Sequence, residues 1–274
     1  MEIRTFYWDA PRDRRPAMLR WALRRNPHLF RHGNAGDDFN VDLLKWAYPG
    51  REIRNVDEGG RRILLVGSVS HRVQGGDIVN GIGSKPTDLP SARQVALRVR
   101  GVRGPLTLEA FRRAGHDVSS LRFMGDPGLL IGQLFPDLAT VSHETGRVVF
   151  IPHYRERFQF RSNRQYRVVD IDASAHDVAV AIRRAEFVHT SSLHGLIWAH
   201  ALGRPTRLVT PAAGEALYKY EDYFLSINQP FEAAATIDES LRLPKPVSPL
   251  DVSAVVNNIT LPGLEELMQT GIAT

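Results

Sequence analysis

Twenty residues limit what this chain can become: Glu186-Phe-Val-His-Thr-Ser191-Ser192-Leu193-His194-Gly195, followed by Leu-Ile-Trp-Ala-His-Ala-Leu-Gly203-Arg-Pro205. The run reads as a short apolar strand, a polar turn, and a helix stopped by Gly203 and Pro205. Ser191 and Ser192 are good N-cap residues. The turn therefore offers hydroxyls, an imidazole and free backbone N–H groups at a helix N-terminus, a ready seat for a phosphate or carboxylate. In an open α/β sheet such a turn lies at the carboxyl ends of the strands, where ligands bind.

The unit repeats along the chain. Ile3 to Trp8 reads as a first strand, and Gly33-Asn34-Ala35-Gly36-Asp37-Asp38 as a glycine turn in which Asp37 or Asp38 caps a helix. Strands end in Gly67-Ser68 and in Gly81-Ile-Gly83-Ser84. Gln94 to Val102 alternates as a strand does, and Pro105 opens a helix that closes at Gly115. Leu121 to Met124 precedes the turn Gly125-Asp126-Pro127-Gly128. A second series begins at Arg147 and continues with a strand at 166–171, a helix at 175–184, the Ser-Ser-Leu-His-Gly unit, a strand at 206–210 and a short helix led by Lys219. Alternating strands and helices predict an α/β protein with parallel sheets. A linker near Pro136–Gly146 divides it into halves at 1–140 and 141–274, the second ending in a helical tail.

Composition narrows the chemistry. The chain has 274 residues and no cysteine, which excludes disulfides and thiolate catalysis and favours a cytoplasmic protein. No apolar run is long enough for a spanning helix. The net charge of +5 suits anionic ligands. Residues 11–32 hold seven arginines and a single acid, Asp13. That segment fits either a surface element that meets anionic lipid, or a lipid-linked diphosphate, at the inner face of the membrane, or a solvated insertion with an aromatic anchor. No Gly-x-Gly-x-x-Gly follows a strand, no histidine–carboxylate spacing suits a metal, and no nucleic-acid module is present.

Taken in order, Asn34-x-Gly36-Asp37, Gly67-Ser68, Gly81-Ile-Gly83-Ser84, Val102-Arg103-Gly104-Pro105-Leu-Thr107, Gly125-Asp126-Pro127, Pro152-His153, Ser191-Ser192-Leu-His194-Gly195 and Lys219-Tyr-x-Asp222-Tyr resemble the polysaccharide pyruvyl transferase family over roughly residues 33–226. The resemblance implies a GT-B-like fold: two Rossmann-like domains facing across a cleft, the first on the acceptor side and the second on the donor side. It implies phosphoenolpyruvate as donor, no further cofactor, and as acceptor a sugar of a cell-surface polysaccharide or its lipid-linked precursor. Some members carry an arginine two residues before the motif histidine; here Ser192 stands there, so the local positive charge comes from elsewhere, with Arg155, Arg204 and Lys219 as candidates.

Under that resemblance His194 binds phosphate and serves as general acid, and Asp37 or Asp126 serves as base. Asn34, Arg103, His153, Arg155, Ser191, Ser192, Gly195 and Lys219 bind substrate. Two readings stand for Arg103, a donor-binding cation or a structural arginine that caps a helix or pairs with Asp126. Two also stand for Asp126, a base or a plain turn residue before Pro127. A glycosyltransferase using a nucleotide sugar is the alternative enzyme class, since the same helix-end phosphate site would serve it.

Overall fold

The computed structural model describes residues 1–8, 33–85, 89–212, 214–245 and 248–274. The arginine-rich segment 11–32 lies outside the described residues.

Among the described residues, ten strands form two sheets, and every strand pairing within them is parallel. The first sheet takes β1 (Glu2–Thr5), β2 (Glu52–Asn55), β3 (Ile63–Leu64), β4 (Ile78–Asn80), β5 (Arg98–Val102) and β6 (Phe123–Met124), in the order β2-β1-β3-β4-β5-β6. The second takes β7 (Val148–Ile151), β8 (Arg167–Val168), β9 (Phe187–Thr190) and β10 (Thr206–Leu208), in the order β10-β9-β7-β8. Central strands of parallel sheets are covered on both faces. That is why all four residues of β9, read from the sequence as a short apolar strand, are buried.

Helix α1 (Ala35–Ala47) follows the gap after β1. Its N-cap is Asn34, whose side-chain oxygen accepts from the Gly36 amide; Asp37 and Asp38 sit in the first turn instead of capping. Acidic residues in the first turn, and Lys45 in the last, are the arrangement that suits the helix dipole. Helix α2 (Pro105–Arg113) starts on its proline as expected. After the short α3 (Ile131–Leu134), helix α4 (Ala175–Arg184) has the bounds its sequence indicates, because Ser174 accepts from the Asp177 amide at its start. Helices α5 (Leu193–Ala201) and α6 (Tyr218–Ser226) complete the second half.

Below the strand ends the seam between the halves is packed. Phe39 of α1 meets Trp198 of α5 edge-on at 5.6 Å between centroids, and both rings are wholly buried. Such a pair adds about 0.5–1.5 kcal/mol beyond its area. Leu43, Val149, Ile182, Val188 and Ile197 continue one apolar core across the seam. The tail forms α7 (Ile237–Arg242), α8 (Ser253–Asn258) and α9 (Leu264–Gln269), then returns to the first sheet. There Ala273 bridges Ile3 antiparallel, and the Glu2 amide donates to the Thr274 carbonyl at 2.7 Å. No helix among the described residues is long and apolar enough to cross a membrane.

Candidate functional site

The turns that follow β3, β4, β5, β7 and β9 come together at the carboxyl ends of both sheets. His194, at the second position of α5, lies flat against the backbone of α1: a Cβ placed on Gly36 would fall 1.8 Å from His194 Nδ1. Only glycine allows that approach. The contact sets the imidazole, from the second half, beside Asn34 and Asp37 of the first.

Asn34 Nδ2 donates to Asp37 Oδ2 at 2.9 Å. Burial dominates at Asp37 and pushes its pKa up to about 7, against the Asn34 hydrogen bond and the charges of Lys219 and Lys85, which pull it down. His194 is 5% exposed, and burial, with Arg103 and Lys219 nearby, drives its pKa down to about 3. Its Nε2 has no hydrogen-bond partner. At neutral pH the imidazole is uncharged and the carboxyl close to half protonated.

Lys219, at the second position of α6, is a cation whose charge acts on both Asp37 and His194. Burial lowers its pKa to about 8. Its Nζ donates to Glu215 Oε1 at 3.0 Å and lies 3.5 Å from His153 Nε2. His153 is 4% exposed; burial, with Lys219 beside it, lowers its pKa to about 3, and its Nδ1 has no partner. Arg155 is half exposed, stacks on Tyr154 and donates to Glu215 Oε2 at 3.2 Å.

Arg103 is fully buried, and its partner is Asp222 of α6, not Asp126. Its Nε donates to Asp222 Oδ2 at 3.2 Å, Nη1 to Ser68 Oγ at 2.8 Å and Nη2 to the Ser84 carbonyl at 3.4 Å. Asp222 also accepts from the Thr107 amide and hydroxyl, so it caps α2 across the seam. Arginine and cap thus clamp the two halves directly under the site.

Ser191, Ser192 and Gly195 hold the turn itself. Ser191 Oγ donates to Glu156 Oε1 and accepts from the His153 amide. Ser192 Oγ caps α5 by accepting from the Gly195 amide at 3.3 Å. A side chain at Gly195 would meet Thr190 Oγ1 at 2.5 Å, so glycine is what lets α5 seat on its strand. The Leu193 and His194 amides, in the first turn, find no acceptor among the described residues. They keep the anion-binding capacity read from the sequence. Asp126 is fully buried; Oδ1 accepts from the Gly128 amide at 2.8 Å, and Oδ2 has no partner. Burial raises its pKa to about 6. It caps the turn at Pro127 and feels the Arg103 charge.

Asn34, Asp37, Arg103, His153, His194 and Lys219 are therefore brought to one seam. Sequence reading missed Glu215 and Lys85, and it named Ser68 and Asp222 without a role. Ser68 and Asp222 carried a signal, as parts of Gly67-Ser68 and of the Lys219-Tyr-x-Asp222-Tyr stretch. Among the described residues no group of three or more His, Cys, Asp or Glu is placed to hold a metal ion.

Comparison with known proteins covers most of this seam. A family model described as polysaccharide pyruvyl transferase matches residues 33–212, which include every residue above except those of α6 and the loop before it. An uncharacterized protein of Acanthamoeba polyphaga mimivirus is 33% identical over 115 residues, 39% of each chain. The match thus spans well under half of that curated relative. No solved structure matches.

Proposed function

The chain belongs to the polysaccharide pyruvyl transferase family, and from that premise we propose that it moves the pyruvyl group of phosphoenolpyruvate onto two hydroxyls of a polysaccharide, or of its lipid-linked precursor, forming a ketal and releasing phosphate. The observation that carries this reading is the contact of His194 with Gly36, which sets an imidazole, a near-neutral carboxyl and Lys219 around one point.

The donor has two anionic groups, and the seam offers two kinds of anion seat. The Leu193 and His194 amides at the start of α5 suit the phosphate. Lys219, Arg155 and the spare N–H groups of Arg103 add charge-assisted donors. Two Rossmann-like halves meeting at their strand ends suit a GT-B-like arrangement, with acceptor approaching from the first half and donor held by the second.

Ketal formation needs one proton delivered to the methylene carbon of the donor and one taken from each of two sugar hydroxyls. Asp37 is suited to the first exchange. It is near half protonation at pH 7, so it can protonate the methylene carbon and accept the proton of the attacking hydroxyl. The central carbon becomes electrophilic and takes the first oxygen. The second hydroxyl then displaces phosphate. His194 starts neutral, takes the second hydroxyl's proton, and passes it to the leaving phosphate, whose charge raises the imidazole's proton affinity. One hydroxyl proton ends on the new methyl group and the other on phosphate, so the step balances. Asp126 is not needed for either transfer.

Calorimetric titration of phosphoenolpyruvate into wild-type protein and His194→Ala tests this. We expect saturable binding that weakens more than about tenfold in the variant, roughly 1.4 kcal/mol. Binding of a nucleotide sugar with no response to phosphoenolpyruvate, with or without glycan acceptor, would replace this reading by glycosyl transfer.

A further inference from the structure

Among the described residues Glu215 pairs only with side chains of the candidate site. It lies ahead of α6, whose first turn has no side-chain cap. Its hydrogen bonds and ion pairs go to groups assigned above to the donor. Oε1 accepts from Lys219 Nζ at 3.0 Å. Oε2 accepts from Arg155 Nη1 at 3.2 Å and lies 3.8 Å from His153 Nε2. The carboxylate is 8% exposed, so it fills this place from within. Upstream of it, the Ala212 amide donates separately to Glu156 Oε2, in the loop after β7, at 2.7 Å.

We propose that Lys219 and Arg155, with His153 alongside, form a seat for a ligand carboxylate, and that Glu215 occupies the seat in the empty protein and is displaced by the ligand. The identification of that carboxylate with the one on phosphoenolpyruvate rests on the transfer reading above. Exchanging one carboxylate for another keeps both cations paired throughout. This matters because an unpaired charge at a nearly buried site is costly. The exchange also sorts ligands. A molecule carrying phosphate and carboxylate together can fill the α5 seat and expel Glu215. A sugar phosphate or nucleotide sugar fills the first and leaves Glu215 in place. Glu215 would thus set specificity by competing with whatever enters.

The alternative role, in which Glu215 only positions Lys219, predicts a change of opposite sign. Glu215→Gln keeps shape and hydrogen bonding and removes the competing charge. Pyruvate, a carboxylate without phosphate, is titrated calorimetrically into wild type, Glu215→Gln and Glu215→Gln/Lys219→Met, with thermal melts to confirm that each is folded. We expect the single variant to bind pyruvate at least about tenfold tighter than wild type, and the double variant to lose that gain. Unchanged or weaker binding in the single variant, or a gain that survives in the double, overturns the proposal. Phosphoenolpyruvate is titrated in parallel. A pyruvate gain without any phosphoenolpyruvate binding upholds the carboxylate seat and removes the donor assignment instead.

Discussion

Among the described residues two arginine–aspartate pairs are buried to zero exposure, and they are wired differently. Arg62–Asp77 sits at the amino ends of β3 and β4. Its guanidinium forks onto both carboxylate oxygens, Nε to Oδ1 at 3.2 Å and Nη2 to Oδ2 at 2.7 Å. The other donors reach the carbonyls of Val56, Asp57 and Arg72. All five N–H groups of Arg62 are used. Arg103–Asp222 sits at the carboxyl ends, touches through a single Arg103 nitrogen, and has three acceptors in all. An arginine has five donors, so two N–H groups of Arg103 remain for something else. A saturated pair is a staple; an unsaturated one is a staple with capacity left to meet a ligand.

The largest expected effect falls on the saturated pair. Arg62→Met strands a buried carboxylate, and stability should drop by about 3–5 kcal/mol in denaturant unfolding. Activity per folded molecule should hold. A loss below about 1 kcal/mol would erase the contrast.

At the other end, Arg103→Lys keeps the charge and discards the fork. The transfer rate should fall about 100-fold, roughly 2.7 kcal/mol of barrier. Its melting temperature should fall less than that of Arg62→Lys. If the two lysine variants lose equal stability and Arg103→Lys stays active, the spare donors have no ligand.

The smallest effect is a pH slope at the carboxyl end. Asp37 ordinarily titrates near 3.8 and here near 7. Between those values the folded protein holds a proton that the unfolded chain does not, so this group favours the fold increasingly as pH falls. His194 and His153 act in the opposite sense. The unfolded chain protonates them below about 6.5 and the folded one only near 3, so acid removes stability there. Asp37→Asn deletes the favourable contribution. Comparing urea midpoints at pH 7 and pH 5 should show a steeper acid loss in the variant, by about 2 kcal/mol. Parallel slopes would mean that Asp37 is ionised in the fold.

What the sequence disclosed follows from the distance over which each feature is determined. Helix α4 was legible to the residue because Ser174, Asp177 and the closing arginines are local. The parallel α/β class and the Ser192 cap were legible for the same reason. The strands read too long: 94–102 resolves to Arg98–Val102 and 166–171 to Arg167–Val168, because strand ends are set by where a neighbour stops pairing. At the site, Asp37, His194 and Lys219 could be singled out, but not their meeting. Gly36 and His194 are far apart in the chain, and Arg103 is 119 residues from Asp222. Nothing local marks Glu215, whose partners lie on the β7 turn and on α6.

The return of Ala273 and Thr274 to β1 has a topological consequence. Residues 2 and 274 exchange two backbone hydrogen bonds, so the described chain traces a nearly closed loop. A short linker could join those ends, and a permuted chain could be opened in an exposed turn with its strand pairings preserved. The junction sits at the amino end of the first sheet, opposite the seam of Asp37 and His194. Anything tethered there, whether a tag, a surface or a further stretch of polypeptide, leaves the mouth of the site facing away from its anchor.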